Sequence, residues 1–263
     1  LMRAEVPGPE ADKLVPRART TAQILYAMYF VLTAVEVVLL LFGGMNFYDA
    51  LLHAFSTAGT GGFSNMNASV AHYDSAYIDG VITVFMILFG VNFNLYFLIC
   101  LRKWKEAFQN DELHIYLGII AGAVAVITID ILHQYGNVMR AFRYASFQVA
   151  AIITTTGFCT ADWNLWPELS KTVLLSLMVV GACAGSTGGG IKVSRLMILL
   201  KSIKQETKRM LHPKAVTIVR VNGRKVSGET MNGVYIYFIC YIMILLGSVL
   251  LVAFNNFDFG TTF

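Results

Sequence analysis

The chain has 263 residues, of which 56% are hydrophobic and 14% charged, with a formal net charge of +4. An ordinary soluble domain is about 25% charged, so the composition excludes one of average surface and points to a bilayer as solvent. The four cysteines (Cys100, Cys159, Cys183, Cys240) have neither metal-site nor disulfide-framework spacing.

Residues 1–20 read as a basic connecting loop. They show no start Met or signal peptide, which suggests part of a longer protein. Residues 22–42 form the first apolar run, broken only by Glu36. A spanning helix needs about 20 apolar residues, whereas buried strands of a soluble enzyme are usually about 4–8. Glu36 is costly in a membrane unless paired, and a structural polar contact is expected.

Next comes FYDALLHAFSTAGTGGFS (47–64): a short amphipathic helix over about 47–56, then a Thr- and Gly-rich loop over 57–64. A return helix is expected over about 76–101, with Asn92 and Asn94 as interhelical contacts. The pattern then repeats with an outward helix (114–135), a pore helix (about 138–153), a loop (154–160) and a return segment (about 168–210). Aligning the loops by their Thr-x-Gly chemistry sets Gly59 over Gly157, with an insertion before Phe63. A loop at membrane depth is tolerated only where it is buried in protein or lines a water-filled cavity.

The second return segment is interrupted by GACAGSTGGGIK (181–192). Glycine costs about 1 kcal/mol in a helix interior, so the helix should break here into an unwound functional loop. Close packing through Gly181 and Gly185 is the competing reading. Nucleotide-loop spacings are absent. Beyond lie a basic stretch (201–209), an Asn222-Gly223 hairpin signal and an apolar run (231–257).

Of the 20 Lys and Arg, 17 fall in segments 1–20, 102–113 and 192–225. Cationic loops are cytoplasmic, so both re-entrant loops enter from outside. The surplus charge follows from topology, and no basic, aromatic-studded domain supports nucleic-acid binding. The fold expected is all-α integral membrane, built of repeated helix–pore loop–helix units. Its parts are a linker (1–20), a first repeat (21–103), a second with a broken second helix (112–210), a hairpin linker (211–230) and a further helix (231–263).

A dehydrated cation in a low-dielectric medium is highly unfavourable, and rings of backbone carbonyls can replace its water shell. Aiming successive carbonyls at one axis often needs φ > 0, which glycine adopts freely. Thr57, Ala58, Gly59 and Thr60 in one loop, and Thr155, Thr156, Gly157 and Phe158 in the other, are the expected filter. Potassium is the expected substrate, held at Thr57, Ala58, Gly59, Thr155, Thr156 and Gly157. Neither loop carries an acidic ring. Asp49, Asp74, Asp79 and Asp162 lie on the outer side, where they either concentrate cations or do nothing. Two readings compete: a cation-coupled secondary transporter with its site at 181–190, and a scaffold or membrane enzyme. No nucleophile–base pattern or cofactor motif supports an enzyme.

In STAGTGGFS (56–64), TTTGF (154–158) and GACAGSTGGGIK (181–192), the chain resembles the Trk/Ktr/HKT potassium transporter superfamily, and in particular its bacterial Trk-type membrane subunits. The resemblance covers essentially the whole chain. It implies four helix–pore loop–helix repeats around one pore, of which this chain holds the second, the third and the start of the fourth. Two quarters alone should not conduct. Gly59 and Gly157 would be filter glycines. Gly181, Gly185, Ser186, Thr187, Gly188, Gly189, Gly190 and Lys192 would belong to a gating loop. The resemblance further implies a bacterial inner-membrane location, a homodimer and a cytoplasmic ring of nucleotide-binding regulatory subunits.

Overall fold

The computed structural model describes residues 18–212 and 218–255. Expectations that fall on 1–17, 213–217 and 256–263 lie outside the described residues. The described chain is helical apart from one small hairpin and forms two compact units, divided between Ser194 and Arg195.

In the first unit, α1 (Ala18–Phe42) ends at Gly43 and Gly44. Asn46 then caps α2 (Phe47–Ala58), accepting from the Asp49 amide at 2.8 Å. An Asn N-cap takes up one amide that the first helical turn leaves orphaned. The second repeat uses the same device. There α6 (Asp111–Tyr135) ends at Gly136 (φ 64°), and Asn137 caps α7 (Val138–Ile153). The tight turns hold each short helix against the long one before it.

The return helix expected over 76–101 is two helices. α3 (Ala76–Phe89) and α4 (Phe93–Cys100) meet at a 90° bend. A helix end at membrane depth must have its last carbonyls satisfied within the protein, and here each one is. The Gly90 amide reaches Met86 O, and the Tyr116 hydroxyl donates to Ile87 O. Tyr96 donates to Leu88 O, and the Thr187 hydroxyl to Phe89 O. The Cys183 amide donates to Gly90 O at 3.0 Å. Asn92 therefore does not serve the expected interhelical role. It caps α4, accepting from the Asn94 amide at 2.9 Å.

α5 (Trp104–Phe108) is a short connector. α8 (Glu168–Val180) and α9 (Val193–Leu211) flank the Gly-rich stretch. Gly181 and Gly185 have φ of 75° and 69°, so they lie in a loop and not in a GxxxG helix face. Asp130 caps α8 through the Ser170 amide (3.2 Å) and hydroxyl (2.6 Å).

Small residues bring the helices close. Ala141, Ala145 and Val149 of α7 pack on Tyr116, Ile120 and Ile127 of α6. Ile78, Ile82 and Met86 of α3 pack between Ala50 and Ala54 of α2 and Phe147, Ala150 and Ala151 of α7. The repeats are also tied by charge, since Arg143 Nε lies 2.7 Å from the buried Asp79 carboxylate and its Nη2 lies 3.3 Å from Asp74. A buried pair of this kind is costly to break from one side.

The second unit holds α9 from Arg195 onward, strands β1 (Arg220–Val221) and β2 (Arg224–Lys225), and α10 (Gly228–Ala253). Asn222 (φ 49°) and Gly223 (φ 74°) both take positive φ, as a type I′ hairpin turn requires. Val219, Val221 and Val226 pack on Met197, Ile198 and Val234, so the hairpin is seated on its own unit. The Arg195 guanidinium lies 3.9 Å from the Tyr237 ring centre, within cation–π range. Among the described residues, three helices are long and apolar enough to cross a membrane, over Ala22–Phe42, Asp111–Tyr135 and Gly228–Ala253. The bent α3–α4 pair adds up to one more. This is a helical membrane fold.

Candidate functional site

Both loops leave their helices by the same hydrogen-bond ladder. In the first, the amides of Gly59, Thr60 and Gly61 donate to the carbonyls of Phe55, Thr57 and Ser56. In the second, the amides of Thr154, Thr155 and Thr156 donate to those of Ala150, Ile152 and Ala151. The dihedrals follow the same order. Gly59 and Thr154 are right-handed (φ −82° and −85°). Thr60 and Thr155 are left-handed (49° and 58°), and so are Gly62 and Gly157 (68° and 84°). The loops therefore correspond residue for residue, Gly59-Thr60-Gly61-Gly62-Phe63 over Thr154-Thr155-Thr156-Gly157-Phe158.

This corrects the register read from the sequence. The first loop has no insertion, and the partner of Gly157 is Gly62, not Gly59. Thr57 and Ala58 belong to α2 and are fully buried; the Thr57 hydroxyl donates to His53 O at 2.8 Å. Gly62 is required on two counts. Its φ is left-handed, and a Cβ there would collide with the Thr156 carbonyl oxygen. The two loops thus touch.

Among the described residues, no donor reaches the carbonyls of Gly59, Thr60, Gly61 or Gly62, nor those of Thr155, Thr156 or Gly157. Gly59, Gly61 and Gly157 are exposed, and consecutive carbonyls free of protein donors in matching positions can ligate a cation. α2 and α7 both end at these loops, and each helix C-terminus carries roughly half a negative charge.

Polar contacts behind the first loop fix its shape. The Asp49 carboxylate accepts from Asn46 Nδ2 (2.8 Å), Asn65 Nδ2 (2.6 Å) and the Tyr73 hydroxyl (2.9 Å). His53 Nδ1 bonds the Asp49 carbonyl, and its Nε2 bonds the Ser64 hydroxyl at 3.0 Å. The same ring stacks on Phe158, 5.7 Å between centres, which links α2 to the second loop. Partial burial and then the Asp49 carboxylate push the Tyr73 phenol up to about 12.

The four carboxylates expected near the pore mouth all have structural contacts. Asp49 is bonded as above, Asp79 and Asp74 pair with Arg143, and Asp162 accepts from the Asn164 amide. Cys159 is half-buried with its thiol 3.3 Å from Ala161 O, and burial raises its pKa. Glu36 is fully buried with neither carboxyl oxygen in hydrogen-bond reach of a partner among the described residues. The polar side chain that faces it is Thr57.

The Gly-rich stretch rests against both loops. Thr60 Oγ1 donates to Thr187 O at 3.2 Å, and the Gly189 amide donates to Thr155 Oγ1 at 2.7 Å. A Cβ on Gly188 would lie 2.6 Å from Ala182 Cβ and 3.0 Å from Thr154 O. The neck of the stretch is closed by glycine on glycine, because a Cβ on Gly190 would lie 2.6 Å from Gly181 Cα. Lys192 Nζ donates to Gly188 O, and the Ser186 hydroxyl to Cys183 O at 2.6 Å.

Two contributors have no obvious sequence signal. One is the bend at Gly90–Asn92, into which Cys183, Gly185 and Thr187 bond; a Gly C-cap followed two residues later by an Asn N-cap was the available clue. The other is Glu112, whose Oε1 accepts from the amides of Ala184 (2.7 Å) and Ser194 (3.0 Å).

Over residues 1–263 the chain matches the family model TrkH, described as a cation transport protein. It is 36% identical over 262 residues to the Trk system potassium uptake protein TrkH of Salmonella typhimurium LT2, covering 98% of this chain and 54% of that protein. It is 32% identical over 267 residues to the Trk system potassium uptake protein TrkG of Escherichia coli K12, covering 100% and 55%. The crystal structure of the potassium transporter TrkH from Vibrio parahaemolyticus superposes with a TM-score of 0.90 at 30% identity, covering 100% of this chain and 57% of that one. The chain spans about half the length of the curated relatives it matches.

Proposed function

The chain belongs to the TrkH family of cation transport proteins, and we propose that it supplies part of a channel-like pore for potassium uptake. Its filter is the backbone of Gly59–Gly62 and Thr155–Gly157. The observation that carries this reading is the set of donor-free carbonyls in two loops of matching ladder and dihedrals. Carbonyl ligation of this kind replaces a potassium ion's water shell without fixed negative charge.

Loop 181–192 is the gate. It is hydrogen-bonded to Thr60 and Thr155, so it lies across the base of the filter. Its neck is shut by touching glycines, which suits a plug better than a cup for substrate. The charge distribution supports placing the basic loops in the cytoplasm of a bacterial cell and the filter loops outside. The resemblance supports a homodimer with a nucleotide-binding regulatory ring. The basic hairpin between α9 and α10, with Arg220, Arg224 and Lys225, is the cytoplasmic feature that would meet such a ring. A transporter, not an enzyme, is the reading that all these features support.

The test is ion uptake by the full-length protein in proteoliposomes. Wild type should take up potassium in preference to sodium. Gly157→Ser should lower that preference at least tenfold. Equal preference in the variant and wild type would sink the filter assignment.

A further inference from the structure

We infer that Glu112 is a positioning residue whose carboxylate clasps loop 181–192 against the filter. The inference rests on the gate reading above. A single oxygen, Oε1, takes an amide from inside the loop (Ala184, 2.7 Å) and one from the first turn of the helix that follows it (Ser194, 3.0 Å). Glu112 is itself buried, in the first turn of α6. It therefore reaches the loop from an element that belongs to neither filter nor gate.

The position of these bonds decides what they do. The Ser194 amide is one of the orphan donors at the start of α9, and a carboxylate there is favoured by the helix dipole. The Ala184 amide lies beyond the glycine neck, on the part of the loop that must move if the pore opens. The bonds from Val193 to Ala182 O and from Lys192 to Val180 O close the neck itself, so they do not fix the loop's tip. Ala184 precedes the Ser186–Gly189 segment that touches the filter. Losing the Glu112 oxygen frees Ala184 while leaving the neck bonds in place. The loop's tip then keeps its bonds to the α3–α4 bend, to the two filter threonines and from Lys192 to Gly188 O, but loses its tie to α6.

The experiment uses the full-length protein in proteoliposomes, with three readouts: potassium flux, potassium/sodium preference, and labelling of Ser186→Cys by a methanethiosulfonate reagent. Glu112→Ala is expected to raise both flux and labelling about tenfold, as loss of charge-assisted hydrogen bonds implies, with ion preference unchanged. Glu112→Gln keeps an acceptor oxygen without the charge, and a rise of about threefold is expected. If Glu112→Ala does not fold, Glu112→Gln carries the test. Wild-type flux and labelling in Glu112→Gln overturn the proposal. So does reduced flux with lost ion preference in either variant, which marks a general structural defect. Deletion within 185–189 separates the two claims. Unchanged flux there sinks the gate reading itself, whereas raised flux there with wild-type behaviour of the Glu112 variants sinks only the clasp.

Discussion

Replacing Gly62 by Ala should damage selectivity far more than replacing Gly59 by Ala, although the surrounding sequence makes Gly59 look like the filter glycine. Gly62 has φ 68°, where a side chain costs about 1–2 kcal/mol. An added Cβ would also collide with the Thr156 carbonyl oxygen, a rigid backbone atom of the opposing loop. The loops must then separate, and their carbonyls leave the spacing that favours potassium. Separation that removes about 1.4 kcal/mol of discrimination lowers the potassium/sodium preference about tenfold. At Gly59 φ is −82°, and a Cβ meets only Phe55 O at 3.2 Å. The matching residue in the second loop, Thr154, already carries a side chain. Gly59→Ala should therefore stay within about threefold of wild type. Competition between rubidium and sodium uptake in proteoliposomes measures both. Equal losses in the two variants, or a greater loss at Gly59, would refute the register derived from the hydrogen-bond ladder.

Arg143→Leu should leave the buried Asp79 carboxylate without its cation and cost about 3 kcal/mol, the low end for such pairs because Arg143 is partly exposed. Thermal unfolding in detergent reads this. A loss under 1 kcal/mol would show the tie to be dispensable, and the double change with Asp79→Leu should recover most of it. Tyr116→Phe removes the donor to Ile87 O at the bend and should cost about 1 kcal/mol; an unchanged melting temperature would contradict the carbonyl accounting. Tyr73 is ordinarily half-ionised at pH 10.0 and in the fold at about 12. Its raised pKa makes the stabilisation complete below pH 10 and lost as pH climbs toward 12. Tyr73→Phe should flatten the decline in stability between pH 10 and 12, and an equally steep decline in the variant would assign it elsewhere.

Run length, charge and glycine clustering made the helices and the second break legible, because each reflects a local cost the bilayer imposes. The bend at Gly90 was hidden for the same reason. It lies in an uncharged run from Gly80 to Leu101, and hydropathy does not respond to which carbonyls find donors. Those donors are remote in sequence, from Tyr116, Cys183 and Thr187. The filter register misled because Thr-x-Gly chemistry recurs at both 57–59 and 155–157. The structure sets register by where each helix ends, and a right-handed C-cap at Gly59 needs no glycine at all. Glu112 lies in the basic 102–113 segment just before the expected helix, and its contacts lie 72 and 82 residues away.

The joint between the bend and the Gly-rich loop is held in a way that side-chain replacement does not reach. Three of its links are main-chain to main-chain: Cys183 to Gly90, Thr187 to Phe89 and Phe93 to Gly185. No side chain is spent on these bonds themselves, so a change at Cys183 or Phe93 leaves them in place, whereas Gly90 and Gly185 are held as glycine by the nearby Tyr116 hydroxyl and Asn92 side chain. Alanine at Cys183 or Phe93 reports on packing and not on the main-chain bond. Ester replacement of the Cys183 or Phe93 amide, which deletes a single N–H, is the change that would make it visible.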